Sequence, residues 1–186
     1  SKADLDDKHL KYLLRVMALA PCIATLDLSG NSISVKVAEV IVKLLNGQIN
    51  LVRTVPIDSR LDACFLTKIN LSNSSQPIRE DVLVEISRLT SLLTWANAEA
   101  HIRKIYWAEG APEALGEKFV NRMWELIVGK ITSDSKTCMS NAFVASNGGS
   151  KEHVLQYKDL QEMLFKALVS KQLLPPLNAS QRAEIS

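Results

Sequence analysis

The side chains able to do chemistry are few, and each is weighed by the partner its reaction requires. Histidines stand at His9, His101 and His153, far apart in the chain, and none lies in an HExxH pair or beside cysteines at zinc-ligand spacing. They are read as solvated or locally bonded rather than as metal ligands. Ser29, Ser72 and Ser146 follow apolar stretches, where a hydrolase nucleophile would sit inside GxSxG. The nearest approach, Ser29-Gly30, lacks the first glycine and any linked base, so these are read as turn serines. Cys22, Cys64 and Cys138 would act as nucleophiles only beside a base or a helix N-terminus, and the sequence supplies no such pairing.

The remaining candidates have structural explanations. Asp6-Asp7 and Glu80-Asp81 stand at helix beginnings, where the helix dipole favours acidic groups. The run Ser146-Asn147-Gly148-Gly149-Ser150 offers backbone N–H groups to an anion but lacks the glycine-lysine pair of a phosphate-binding loop, so it reads as a strand-to-helix turn. The sequence therefore predicts no enzyme, with no catalytic residue, no cofactor and no metal.

The elements that must position these residues come next. At 186 residues the chain suits a single domain, and its composition, 47% hydrophobic and 23% charged, is that of a folded protein. A net charge of +2, spread evenly, gives no field directed at nucleic acid or anionic lipid. The apolar run Val16 to Ala24, interrupted by Pro21, is far short of the roughly 20 residues of a membrane span. Three widely spaced cysteines suit reduced thiols packed in a core, and hence a cytoplasmic address, better than a disulfide framework.

Leu10, Leu13, Leu14 and Met17 recur at helical spacing and predict an opening helix that ends near Pro21. Ile23, Leu26 and Leu28 then alternate as a strand, Ser29 to Asn31 form a turn, and Val37 to Leu45 predict a helix stopped by Asn46 and Gly47. The same apolar offsets return in Leu66, Ile69 and Leu71, in Ile102, Ile105 and Trp107, and in Met139, Ala142 and Val144. Helical stretches follow each: Ile78 to about Asn97, Pro112 to about Val128, and Lys151 to about Leu174. Val120, Met123, Trp124 and Ile127 share one helical face and read as core. The stretch 47–63, in which Val52, Val55 and Ile57 fit the strand offsets, is read either as an extra repeat or as a loop.

The segment Ile23 to Ile33, IATLDLSGNSI, resembles the LxxLxLxxNxL consensus of leucine-rich repeats, and with its helix it is similar to the ribonuclease-inhibitor-like subfamily. With Leu28, Leu71, Trp107 and Val144 taken as equivalent, the repeats are 43, 36 and 37 residues long, against about 20 to 29 in that family. The resemblance implies an α/β, right-handed solenoid over residues 1–176 with a tail at 177–186, parallel strands on the concave face and helices on the convex face. Alternating strands and helices also suit a doubly wound α/β sheet, but LDLSGNSIS carries one glycine where a nucleotide-binding sheet needs GxGxxG. The chain opens in a helix with no strand before it, so a longer chain or another subunit is expected to cover that edge.

In a solenoid the residues between the buried ones point outward on the concave side. That places Thr25, Lys68, Lys104 and Asn141 in one row, and Asp27, Asn70, Tyr106 and Phe143 in the next, with Tyr106 and Phe143 as an aromatic hot spot. The expected function is a scaffold or adaptor binding another protein through this face, in the manner of the cytoskeletal and inhibitor members of that subfamily, with no membrane contact. The alternatives are a ribonucleoprotein subunit, using Lys68, Arg103 and Lys104 near phosphates, and a degenerate α/β enzyme with converging polar groups at its strand ends.

Overall fold

The computed structural model describes residues 7–19, 22–31, 33–72, 74, 77–128, 133–146 and 155–186. It forms two compact units, residues 1–97 with 177–186, and residues 98–176.

In the first unit, α1 (Asp7–Leu19) buries Leu10, Leu14 and Met17 on one face, as their spacing requires. Strand β1 (Thr25–Asp27) follows, with Leu26 and then Leu28 turned inward. Gly30 takes a left-handed φ of 71°, and the Asn31 side-chain amide donates to the Leu28 carbonyl at 3.1 Å, closing the turn as the sequence predicts. Helix α2 (Val35–Thr54) is capped by Ser34, whose hydroxyl accepts from Val37 N–H, while Asp7 of α1 accepts from the Ser34 backbone N–H and hydroxyl.

Helix α2 runs through Asn46 and Gly47 rather than ending there. A mid-helix glycine costs about 1 kcal/mol relative to alanine. Against this, Gln48, Ile49 and Val52 continue the buried stripe of Ile41, Leu44 and Leu45, and each buried aliphatic side chain contributes roughly 2 kcal/mol. Val52 and Val55 therefore lie in α2 and its C-cap, and Ile57 lies in a 3-10 turn (Ile57–Ser59), so residues 47–63 form no extra repeat.

Strand β2 (Lys68–Asn70) pairs with β1 in parallel, aligning Thr25 with Lys68, Leu26 with Ile69 and Asp27 with Asn70. The backbone leading into β2 is held by side-chain amides. Gln48, buried in α2, accepts from Leu66 N–H at 3.0 Å. Asn97 accepts from Phe65 N–H at 3.0 Å and donates to Phe65 C=O at 2.9 Å, acting as one rung of a missing strand.

The chain then enters α3 (Glu80–Ala108), which ends in a Schellman turn: Gly110 N–H donates to Trp107 C=O, Ala111 N–H donates to Tyr106 C=O, and Gly110 takes a φ of 97°. The second unit adds α4 (Glu117–Val128), α5 (Ser133–Ser146) and α6 (Tyr157–Ser170). Val120, Met123 and Trp124 of α4 are buried as their spacing predicts, Ile127 only partly, and α4 begins five residues after Pro112. Residues 177–186, read from the sequence as a tail, carry α7 (Ala179–Ile185) back into the first unit. There Glu184 meets Arg53 at 3.2 Å and Arg88 at 2.6 Å, and Ile185 is buried.

These elements overturn the solenoid. The described residues are mostly helical and form one sheet of two three-residue strands. The segments 102–107 and 139–144, expected as the third and fourth strands, lie inside α3 and α5. Of the four positions taken as equivalent, Leu28 is buried next to β1 and Leu71 is half-buried after β2, whereas Trp107 is an exposed helical residue and Val144 a half-buried one. The misread segments share an i, i+3 apolar pair with the real strands, and that spacing is also helical.

Candidate interaction surfaces

The first surface is the outward face of the two-stranded sheet. Thr25, Asp27, Lys68 and Asn70 are all exposed, and the register sets Thr25 beside Lys68 and Asp27 beside Asn70, the pairings that the sequence predicts for these two rows. Both strands end in the same device. The Asp27 carboxylate accepts from Ser29 N–H at 2.9 Å and the Asn70 amide oxygen accepts from Ser72 N–H at 3.1 Å, so LDLS and INLS each close an Asx turn. Leu28 N–H then donates to Asn70 C=O and Gly30 N–H to Ser72 C=O, continuing the pairing past the strands.

Hydrogen bonds from the Ser29 side chain and backbone, with a lesser one from Asn70, hold the Asp27 carboxyl below its usual range against a small desolvation effect. Asp27 is therefore a fixed acceptor and negative charge at neutral pH, not a proton donor. Beside it the face carries an ammonium, an amide and a hydroxyl on a hydrogen-bonded backbone.

The other predicted members of these rows lie elsewhere. Lys104 and Tyr106 are on α3, the first exposed and the second half-buried, while Asn141 and Phe143 are on α5, the first exposed and the second fully buried. Tyr106 and Phe143 are thus no exposed aromatic pair on a sheet, and Lys68 shares no strand row with Lys104.

What the sequence reading misses is a cluster on α3 and α6. The Arg103 guanidinium lies 5.3 Å from the Trp107 ring centroid and 4.8 Å from that of Tyr157. Tyr106 stands 4.5 Å from Tyr157 and 6.1 Å, edge-on, from Phe119, and its hydroxyl donates to Pro112 C=O at 3.3 Å. Trp107 stays 51% exposed. Burial raises the Tyr157 phenol pKa, with Arg103 opposing, so Tyr157 is a neutral phenol. The signal was available: Arg103, Tyr106 and Trp107 fall at i, i+3 and i+4 once the segment is read as a helix.

No protein-family model, curated protein or solved structure matches the chain. Among the described residues, no three of His, Cys, Asp and Glu gather as a metal site, and no helix is long and apolar enough to cross a membrane. A cavity of about 320 Å³ in the first unit is walled by Leu51, Val55, Phe65 and the buried Arg60, whose Nε donates to Val55 C=O. His101 is held below its usual pKa, first by burial and then by Lys104. Cys22 is exposed and Cys64 half-buried, so neither packs in the core as expected. The loop 147–150, His153 and the side chain of Cys138 lie outside the described residues.

Proposed function

We propose that the chain is a non-enzymatic interaction module, a scaffold or adaptor that binds another protein through the sheet face of Thr25, Asp27, Lys68 and Asn70. The observation that carries this reading is the alignment of those four exposed polar side chains over a backbone fixed by two Asx turns. A face ordered before binding loses little conformational entropy on association. Opposite charges at Asp27 and Lys68, set diagonally across the two strands, favour a polar partner of matched pattern and give specificity. We assign the module to the cytoplasm, where the glutathione pool keeps thiols such as Cys22 and Cys64 reduced until that pool is itself oxidised.

The test is native capture with the full chain as bait, comparing wild type with the double variant Thr25→Arg/Lys68→Glu, which leaves both Asx turns in place. Both positions are exposed, so circular dichroism of the variant should match wild type. The expected result is a captured protein that survives nuclease treatment and is reduced at least tenfold by the substitutions. Equal capture by a folded variant overturns the assignment of this face, and capture abolished by nuclease favours the ribonucleoprotein reading.

A further inference from the structure

Cys22 and Cys64 are separated by 41 residues in sequence, yet they face each other as partners in a parallel β-bridge just ahead of the paired strands. Bridge partners on adjacent strands lie about 4.8 Å apart and turn their side chains to the same face. A disulfide spans Cα atoms about 4.4–6.8 Å apart, so this placement falls inside the range. Both flanks are anchored. Two residues beyond Cys22, the Ala24 carbonyl accepts from Thr67 N–H at 2.9 Å and Lys68 N–H at 3.0 Å, a bulge that fixes the local register. The residue after Cys64, Phe65, is bound at both its N–H and C=O by Asn97. The fold has thus already fixed the two backbones that a bond would join, and the exposure of Cys22 gives an oxidant access.

We propose that Cys22 and Cys64 are a modification site, a dithiol that a disulfide oxidant such as glutathione disulfide closes into an intramolecular bond across the entrance to the β1–β2 sheet. The exposed Cys22, deprotonated to the thiolate, attacks one sulfur of glutathione disulfide. That S–S bond breaks, and one glutathione thiolate leaves and is protonated by solvent. Cys64 gives up its proton, attacks the Cys22 sulfur and displaces the second glutathione thiolate. Two protein thiols are oxidised and one glutathione disulfide is reduced to two glutathione molecules. The bond closes the loop that contains β1 and α2, and so braces the sheet ahead of Thr25 and Lys68. This site is independent of the binding reading, because it requires only the β-bridge.

The wild-type chain tests it, since trypsin cuts the three cysteines onto different peptides, 16–36, 61–68 and 137–151. The reduced protein is equilibrated in a glutathione redox buffer, alkylated and digested without reductant. The expected product is a covalent pair of 16–36 with 61–68, lighter than their sum by two hydrogens, from a protein that stays monomeric on a non-reducing gel. The bond should form at least about tenfold more favourably in the folded chain than in guanidinium chloride. It should also raise Tm by on the order of 5 °C, a shift that Cys22→Ser removes. Recovery of Cys22 and Cys64 as free thiols or as separate glutathione adducts overturns the proposal. Equal linkage in the folded and denatured chains overturns it too, because the fold would then contribute nothing.

Discussion

In the segment 66–71 the backbone is extended and gripped by side-chain amides, whereas in 102–107, with apolar residues at the same offsets, it coils as the last turns of α3. The difference lies in the flanks. Ahead of Leu66 the chain has left α2 through Pro56 and a 3-10 turn, and Gln48 and Asn97 satisfy backbone groups that no third strand reaches. Behind β2, Asn70 ends the strand in an Asx turn. Ahead of Ile102 there is an unbroken helix without Gly or Pro, in which Ala96 and Ala100 are buried one turn apart, and nothing ends it before Gly110. Three apolar residues do not choose between strand and helix; the groups that satisfy or terminate the neighbouring backbone do.

The largest effect should come from Phe143, placed by the solenoid pattern on an exposed strand and by α5 in a fully buried position, four residues after buried Met139. Phe143→Ala should destabilise the fold by about 3–5 kcal/mol, seen as a lower urea midpoint with little change in slope. An unchanged midpoint would mean that the ring is at the surface, and that 139–144 is no different from 66–71.

Next in size is the grip on β2. Asn97→Leu keeps the side-chain volume and leaves Phe65 N–H and C=O without their bonds, a loss of about 2–3 kcal/mol for a part-buried pair. Asn97→Asp retains the acceptor for Phe65 N–H, loses the donor, and should fall between wild type and Leu. Hydrogen exchange at the Phe65 amide should accelerate in Asn97→Leu more than exchange in the middle of α2. Uniform acceleration would show Asn97 to be a general packing residue rather than the clamp that sets this strand apart from 102–107.

How much could be read beforehand follows the same division. The unit from Ile23 to Leu45 was legible because its signals agree: alternation at Leu26 and Leu28, a turn with Gly30 and Asn31, and a helical stripe after Ser34. The solenoid offsets align Thr25 with Lys68 and Asp27 with Asn70, which is the register of β1 and β2, but the same offsets extend the rows to Lys104, Tyr106, Asn141 and Phe143, which lie in helices. Beyond residue 80, an i, i+3 pair was taken for strand alternation, whereas Gly110 ends a helix in a Schellman turn. The clamps by Gln48 and Asn97 act across 18 and 32 residues, so local spacing carries no trace of them. The stacking of Arg103 on Trp107 and Tyr157 was hidden for a simpler reason, since a segment read as strand puts residues 103 and 107 too far apart to share one ring system.

The smallest effect separates the units by pH, and it is carried by His101 of the second. Burial, with Lys104 adding to it, lowers the His101 pKa in the folded chain, while in the unfolded chain the imidazole titrates near 6.5. Between those two values the unfolded form binds more protons, so stability rises with pH across that window. On acidification this contribution is lost from about pH 6.5 downward, and the loss stops below the folded pKa. His101→Gln cannot take up that proton, so its Tm should fall less than that of wild type between about pH 7 and pH 5. Asp27 of the first unit, lowered by Ser29, keeps its charge throughout this window, so Asp27→Asn should leave the pH 5–7 slope as it is. If instead Asp27→Asn flattens the slope and His101→Gln does not, the titrating group belongs to the sheet face and the electrostatic contrast between the two regions is reversed.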